Sequence, residues 1–231
     1  MKLLRMAGLF SGGKDSTYAI LKATLEKNDL SCILTMHPSS DDSLLFHYPT
    51  TNLLRKISTV IGVPVIERSC NISEKDYEVN ELTRLVKAAI DGFSIDGLVN
   101  GCISSKFQLD IFQDICNKLN VRLISPLWNI DIDYYYEQLL SQGFEIMITR
   151  VAALGLDSSW LGKIITNDNY SILKKLSQKY QFNLTFEGGE AETLVLDCPL
   201  YKKRICVKDH NVTWDGIRGM FEILDIDLIE K

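Results

Sequence analysis

Residues 8–16 read Gly-Leu-Phe-Ser-Gly-Gly-Lys-Asp-Ser, which puts one cation, one anion and two hydroxyls into a glycine-rich turn at the end of an apolar run. Such a turn is suited to phosphate. Glycines let the backbone approach an anion closely, and successive N–H groups at a turn that opens a helix form a positive concavity. Lys14 can offset charge there.

Gly8, Gly13 and Lys14 stand at the spacing of a Walker A loop, but Asp15 occupies the place where that pattern needs a magnesium-binding Ser or Thr. The run Ser11-Gly12-Gly13-Lys14-Asp15-Ser16 instead resembles the PP-loop of the ATP pyrophosphatases, which cleave ATP between the α and β phosphates and leave AMP on an acceptor. Without the resemblance, the same residues make a Gly-Gly turn between a strand and a helix, with ordinary first-turn side chains.

The surroundings fit a strand, turn and helix. Residues 3–10 are apolar enough for a buried strand, and Tyr18, Leu21 and Leu25 follow at helical spacing. Further strands are expected at residues 31–36, 63–66, 98–99 and 121–124. Helical stripes carry Leu54, Ile57 and Ile61, then Leu82, Leu85, Val86 and Ala89, then Leu109, Phe112, Cys116 and Leu119. This alternation predicts an α/β doubly wound parallel sheet of Rossmann-like, PP-loop ATPase type. Its ligand would sit beyond the carboxyl ends of the strands, where the segments after Phe10, Met36 and Gly101 would meet.

Pro126-Leu127-Trp128-Asn129 marks a change of pattern, so residues 1–126 are expected to form an ATP-binding domain and residues 127–231 a smaller α+β substrate domain. The second domain is predicted to hold helices around Ile132 to Leu139 and Leu173 to Tyr180. Its strands are expected at residues 144–151, 194–196, 205–207 and 221–226.

A second chemically loaded segment is Glu187-Gly188-Gly189-Glu190-Ala191-Glu192-Thr193, followed by Asp197. If Glu190 and Glu192 are extended they share one face, where like charges raise each other's pKa unless a cation lies between them. Spacing alone reads the segment as a solvated acidic hairpin.

Taken with the turn at residues 11–16, the run Glu-Gly-Gly-Glu-Ala-Glu-Thr-Leu-Val-Leu-Asp resembles the diphthine ammonia ligase family. Intermediate matches lie at Met36, His47, Thr51 and Asn52, at Gly101, Ser105, Lys106 and Gln108, at Pro126-Leu127-Trp128, and from Gly155 to Gly162. The resemblance implies that ATP and ammonium amidate diphthine, a modified histidine on translation elongation factor 2, with release of AMP and pyrophosphate. It assigns Ser11, Gly12, Gly13, Lys14, Asp15, Ser16, Met36, His47, Gly101 and Ser105 to the nucleotide, with Lys14 and Asp15 catalytic and Asp15 holding Mg2+. It assigns Glu187, Gly188, Gly189, Glu190, Glu192 and Thr193 to the acceptor. Trp128, Trp160 and Tyr201 are candidate faces for the acceptor's quaternary ammonium, or packing aromatics. By residue type alone, His47 reads as a packed or capping residue and Ser105 equally well as a helix cap.

The chain departs from the resemblance in places. Leu109, Ile111 and Ile130 stand where the family usually has arginines, Phe186 where it has a frequent glycine, and Ala191 where it has a frequent aromatic. The runner-up reading is a tRNA-modifying enzyme with the same loop. The three missing arginines motivate a reading of another class, an ATP-binding or sensing protein that does not turn ATP over.

A chain of 231 residues that is 46% hydrophobic can bury a full core. A net charge of −5 lacks the basic footprint of a nucleic-acid binder and weighs against the tRNA reading. The apolar runs fall short of a membrane span, and no signal-peptide pattern opens the chain, so a cytoplasmic protein with no membrane partner is expected. Six cysteines without a C-x-x-C pair read as buried free thiols. An oligomer is left open.

Overall fold

The computed structural model describes residues 3–38, 51–72 and 74–231, which divide into two compact units, Met1–Trp128 and Asn129–Lys231. The first unit is built on a parallel sheet. Its strands are β1 (Arg5–Leu9), β2 (Asp29–Pro38), β3 (Val65–Cys70), β4 (Gly97–Val99) and β5 (Arg122–Ile124), in spatial order β3-β2-β1-β4-β5. That order reverses between β1 and β4, which makes the crevice beyond their carboxyl ends the natural ligand position.

The crossovers are α1 (Lys14–Leu25), α2 (Thr51–Ser58) with a 3-10 turn at Thr59–Ile61, α3 (Lys75–Phe93) and α4 (Lys106–Leu119). A central parallel strand is covered on both faces, and Met6 and Ala7 of β1 are accordingly fully buried. The core collects Leu34, Leu82, Leu85, Leu98 and Ile115 from the sheet and the helices laid on it. Gly62, at φ +77, ends the second crossover helix where the periodicity predicts. The strands run longer than their apolar cores: β2 reaches Pro38, and β3 reaches Cys70 through the polar Glu67 and Arg68. Backbone pairing along β2, from Ile33 with Val65 to Pro38 with Cys70, carries those polar residues into the sheet.

Ion pairs fasten the third crossover. Glu81, almost fully buried on α3, accepts from Arg68 Nε of β3 at 2.7 Å and from Arg84 at 2.5 Å. Burial pushes its carboxyl up, but the two guanidiniums outweigh that and hold it below the usual range. Cys32, Cys116 and Cys198 are buried free thiols pushed up to about 12 by desolvation.

The second unit is an antiparallel sheet of β6 (Glu145–Val151), β7 (Ala191–Asp197), β8 (Lys203–Trp214) and β9 (Gly219–Glu230), ordered β7-β6-β9-β8, with helices α5 (Ile132–Ser141) and α6 (Asn167–Tyr180). Thr166 and Asn169 close a capping box at the start of α6. Tyr136 of α5 stacks on Tyr170 of α6 with ring centroids 4.3 Å apart, and donates its hydroxyl to the Leu184 carbonyl. The β8–β9 hairpin is far longer than residues 205–207 and 221–226 predict. The outer part of β8, from Asp209 to Trp214, is exposed, so burial leaves no mark in the sequence there, and paired backbone from Lys203 with Glu230 to Trp214 with Gly219 sustains the hairpin. Its turn is Asp215-Gly216-Ile217-Arg218, in which Asp215 Oδ1 accepts the Ile217 and Arg218 N–H groups and Gly216 takes φ +103. No described helix is long and apolar enough to cross a membrane.

Candidate functional site

The turn after β1 is fixed at both ends. Phe10 N–H bonds Leu34 C=O at 2.9 Å, and the buried Thr35 hydroxyl donates to Phe10 C=O at 3.2 Å, so the chain leaves the sheet in a set direction. Gly12 then takes φ +79, a left-handed conformation that costs a side-chain-bearing residue about 1–2 kcal/mol. Gly13 caps α1 with no side-chain hydrogen bond.

Inside the turn the hydroxyls bind one another. Ser16 Oγ donates to Gly13 C=O at 3.2 Å, so the 3.1 Å contact between the two hydroxyls is a donation from Ser11 to Ser16. Ser11 N–H also points to Ser16 Oγ at 3.3 Å. The loop is therefore closed on itself before any ligand arrives. Lys14 is 1% exposed, and its ammonium lies 3.0 Å from the Asp15 carboxylate, which is 27% exposed. A cation set in low dielectric acts more strongly on a neighbouring charge than the same cation in water.

Gly101 is brought against this turn. A Cβ on Gly101 would stand 2.8 Å from both Asp15 C and Ser16 N, so the β4–α4 connection lies backbone to backbone against the first turn of α1. Asn100, a residue the sequence reading passes over, holds that connection. It is 1% exposed, donates to Ser125 Oγ at 2.7 Å, and accepts from Cys102 N–H at 2.9 Å. An Asn between an apolar strand and a Gly is the signal that could have found it.

The other expected nucleotide residues are placed differently. Met36 ends buried in the hydrophobic core. Ser105 caps α4, accepting from Gln108 N–H at 3.4 Å. His47 lies outside the described residues. Ile111, at a position where the resemblance expects an arginine, is buried in the core, while Leu109 and Ile130 are half-buried.

In the second unit, Phe186 at φ +64 and Gly189 at φ +81 turn the chain just before β7. Phe186 is 4% exposed and lies near parallel to Phe182. Glu190 does not extend alongside Glu192. Its carboxylate folds back to accept Gly188 N–H at 2.9 Å and Asn183 N–H at 3.2 Å, while its carbonyl accepts from Ala152 and Ala153. A Cβ on Gly188 would meet that carboxylate at 2.8 Å. Glu187 N–H bonds Thr185 Oγ1, Thr193 pairs with Ile148, and Glu192 faces Arg150 across the sheet at 3.4 Å. Glu190 is thus a strut of the loop, and Glu192 half of an ion pair.

Of the candidate aromatic faces, Trp160 is buried with Lys163 Nζ 4.5 Å above its ring, Tyr201 is buried, and Trp128 packs on the first unit's core. All three serve packing. Among the described residues, no group of three acidic, thiol or imidazole side chains converges as a metal cage.

Residues 4–123 match the family model described as the diphthamide synthase N-terminal domain, and residues 131–229 match that of the diphthamide synthase C-terminal domain. A human diphthine-ammonia ligase is 29% identical over 227 residues, covering 90% of this chain and 85% of its own. The zebrafish (Danio rerio) diphthine-ammonia ligase is 30% identical over 221 residues, covering 88% and 86%. A solved chain described as a predicted subunit of tRNA methyltransferase, from Methanocaldococcus jannaschii, covers 85% of this chain and 98% of its own. It does so at TM-score 0.41 and 14% identity, too distant to bear on function.

Proposed function

Because the chain belongs to the diphthamide synthase family, we propose that it is an ATP-dependent ligase that converts diphthine on translation elongation factor 2 to diphthamide. The acceptor carboxylate oxygen attacks the α-phosphorus of ATP, and the bond to the bridging oxygen of pyrophosphate breaks. Ammonia then attacks the carbonyl carbon of the acyl adenylate, the carbon–oxygen bond breaks, and AMP leaves with the former carboxylate oxygen. Residues 1–126 bind ATP and residues 127–231 take the acceptor.

The observation that carries this reading is the buried Lys14 ammonium beside the half-buried Asp15 carboxylate, set in a glycine turn at the reversal point of the sheet. The turn's backbone, with Ser11 and Ser16, cradles the β and γ phosphates, and Lys14 exchanges Asp15 for the charge that develops on the departing pyrophosphate. Gly101 lets the β4–α4 connection close on the same turn. A single contact of this kind is worth roughly 3 kcal/mol, or about a hundredfold in rate.

Asp15, one half-buried carboxylate beside the turn, fits Mg2+, which takes one or two carboxylates with substrate phosphates and keeps its remaining waters. When bound, the ion supplies positive charge to the phosphate oxygens. The acidic loop at Glu187 to Thr193, braced by the Glu190 carboxylate on Gly188 and Asn183, serves the acceptor.

The test is AMP and pyrophosphate release from ATP with and without diphthine-bearing elongation factor 2 and ammonium. Release that requires both supports the reading. Release no greater than from ATP alone, or formation of ADP, overturns it.

A further inference from the structure

A pocket of about 260 Å³ opens in the second unit where the end of β6 meets the tip of the β8–β9 hairpin. Arg150 forms its inner wall, its side chain 17% exposed, while Arg218, Trp214 and Asp215 line the exposed side. None of these four belongs to the glycine turn or to the acidic loop, yet Arg150 joins the pocket to that loop. It pairs with Glu192 of β7 on one side and with Met220 of β9 on the other.

The pocket floor requires a glycine. A Cβ on Gly219 would lie 2.7 Å from Trp214 Cε3, 2.7 Å from Thr213 O and 2.8 Å from Leu161 Cδ1, so the indole rests directly on the bare backbone. The rest of Trp214 stays 38% exposed. The hairpin turn sets the remaining charge. Asp215 Oδ1 accepts two backbone N–H groups, from Arg218 and Ile217, and these hold its carboxyl below the usual range and ionised.

One aromatic face, two guanidiniums and one fixed carboxylate make a lining of mixed sign. An apolar or singly charged ligand would leave part of it unmatched. A compact zwitterion matches it, because guanidinium takes carboxylate through paired N–H bonds and an indole face attracts a quaternary ammonium.

We propose that this pocket captures the zwitterionic head of the acceptor as it first docks, with Arg150 and Arg218 on its carboxylate and Trp214, flanked by Asp215, on its trimethylammonium, before the carboxylate passes to the nucleotide. The assignment rests on diphthine as acceptor, since that group carries both charges a few bonds apart. It places acceptor recognition on the hairpin tip rather than on Trp128, Trp160 or Tyr201, which are engaged in packing.

The test uses the whole chain and N,N,N-trimethyl-2-aminobutyrate as a probe of the head group. Titration followed at the indole N–H resonances should move the Trp214 signal in a saturable way, and Trp214→Ala or Arg218→Gln should weaken probe binding about tenfold, with Trp214→Phe retaining most of it. The unmethylated amino acid, which keeps both charges but lacks the methyl groups that lie on the indole, and the probe's methyl ester, which lacks the carboxylate charge, should also bind at least tenfold more weakly. In turnover, Trp214→Ala should raise the KM for the elongation factor about tenfold and leave ATP affinity unchanged. A Trp214 resonance that does not respond to the probe, or an unchanged KM in both Trp214→Ala and Arg218→Gln, overturns the proposal. Wild-type protein that binds the probe but forms no AMP with factor and ammonium would sink the ligase reading and leave the pocket standing.

Discussion

Replacing Gly101 by alanine probes the apposition of two connections that the nucleotide is proposed to need. The added Cβ would stand 2.8 Å from Asp15 C and Ser16 N, where ordinary contact begins at 3.4 Å, so the β4–α4 connection and the start of α1 must part by about 0.6 Å. Both sides are backbone, and Asn100 and the α4 cap at Ser105 anchor one of them, so a side-chain rotation cannot absorb the shift. Overpacking of this kind costs about 1–3 kcal/mol, which lowers Tm by a few degrees for each kcal/mol in a chain of this size. The functional loss should be larger in proportion. Displacements of about 1 Å at a reacting centre cost up to about a hundredfold, so acceptor-dependent AMP formation should fall between about ten- and a hundredfold. The assay pairs pyrophosphate release with ATP calorimetry and a thermal melt. An alanine variant that melts a few degrees lower but binds ATP and forms AMP like wild type would refute the idea that this contact shapes the nucleotide site.

Lys14→Ala should leave a folded protein, by circular dichroism, whose AMP formation is reduced at least about a hundredfold. Glu190→Ala removes the strut on Asn183 and Gly188, so acceptor turnover should drop while the ATP dissociation constant from calorimetry stays unchanged. Phe186→Gly releases about 1–2 kcal/mol of left-handed strain but empties a buried aromatic site worth about 3–5 kcal/mol, so urea unfolding should show net destabilisation of about 2 kcal/mol. Glu81 has a depressed folded-state pKa, so its contribution is complete above the ordinary value of 4.5 and is lost as pH falls through the lower folded value. The stability gap between wild type and Glu81→Gln should therefore be constant at neutral pH and close in acid, as urea midpoints across pH would report.

The parallel half was legible because its signals are local. An apolar run, a Gly-Gly turn and a helical stripe at Tyr18 and Leu21 specify strand, loop and helix without reference to the rest of the chain. The outer β8–β9 hairpin was not, because residues such as Asp209, Asn211, Asp225 and Asp227 are held by partner-strand hydrogen bonds rather than by burial. Only Asp215-Gly216 hinted at the turn. At the sites, residue types foretold the chemistry but not its partners. Glu190 looks like a free carboxylate in a flexible run, and its role as a strut depends on the left-handed turn at Phe186 and on N–H groups as far as seven residues away. The Ser11–Ser16 hydroxyl pair and the contact of Gly101 with Asp15 and Ser16 depend on geometry that spacing does not encode. Arg150 carries no motif, and its place between β7 and β9 follows from register alone.

The most direct measurement follows the acceptor's oxygen. Elongation factor 2 bearing diphthine with a heavy-oxygen label in its carboxylate is incubated with this protein, ATP and ammonium, and the nucleotide products are weighed by mass spectrometry. Attack at the α-phosphorus predicts one heavy oxygen in each AMP released, matched by one amide formed. Unlabelled AMP, or label appearing in inorganic phosphate beside ADP, would contradict the account.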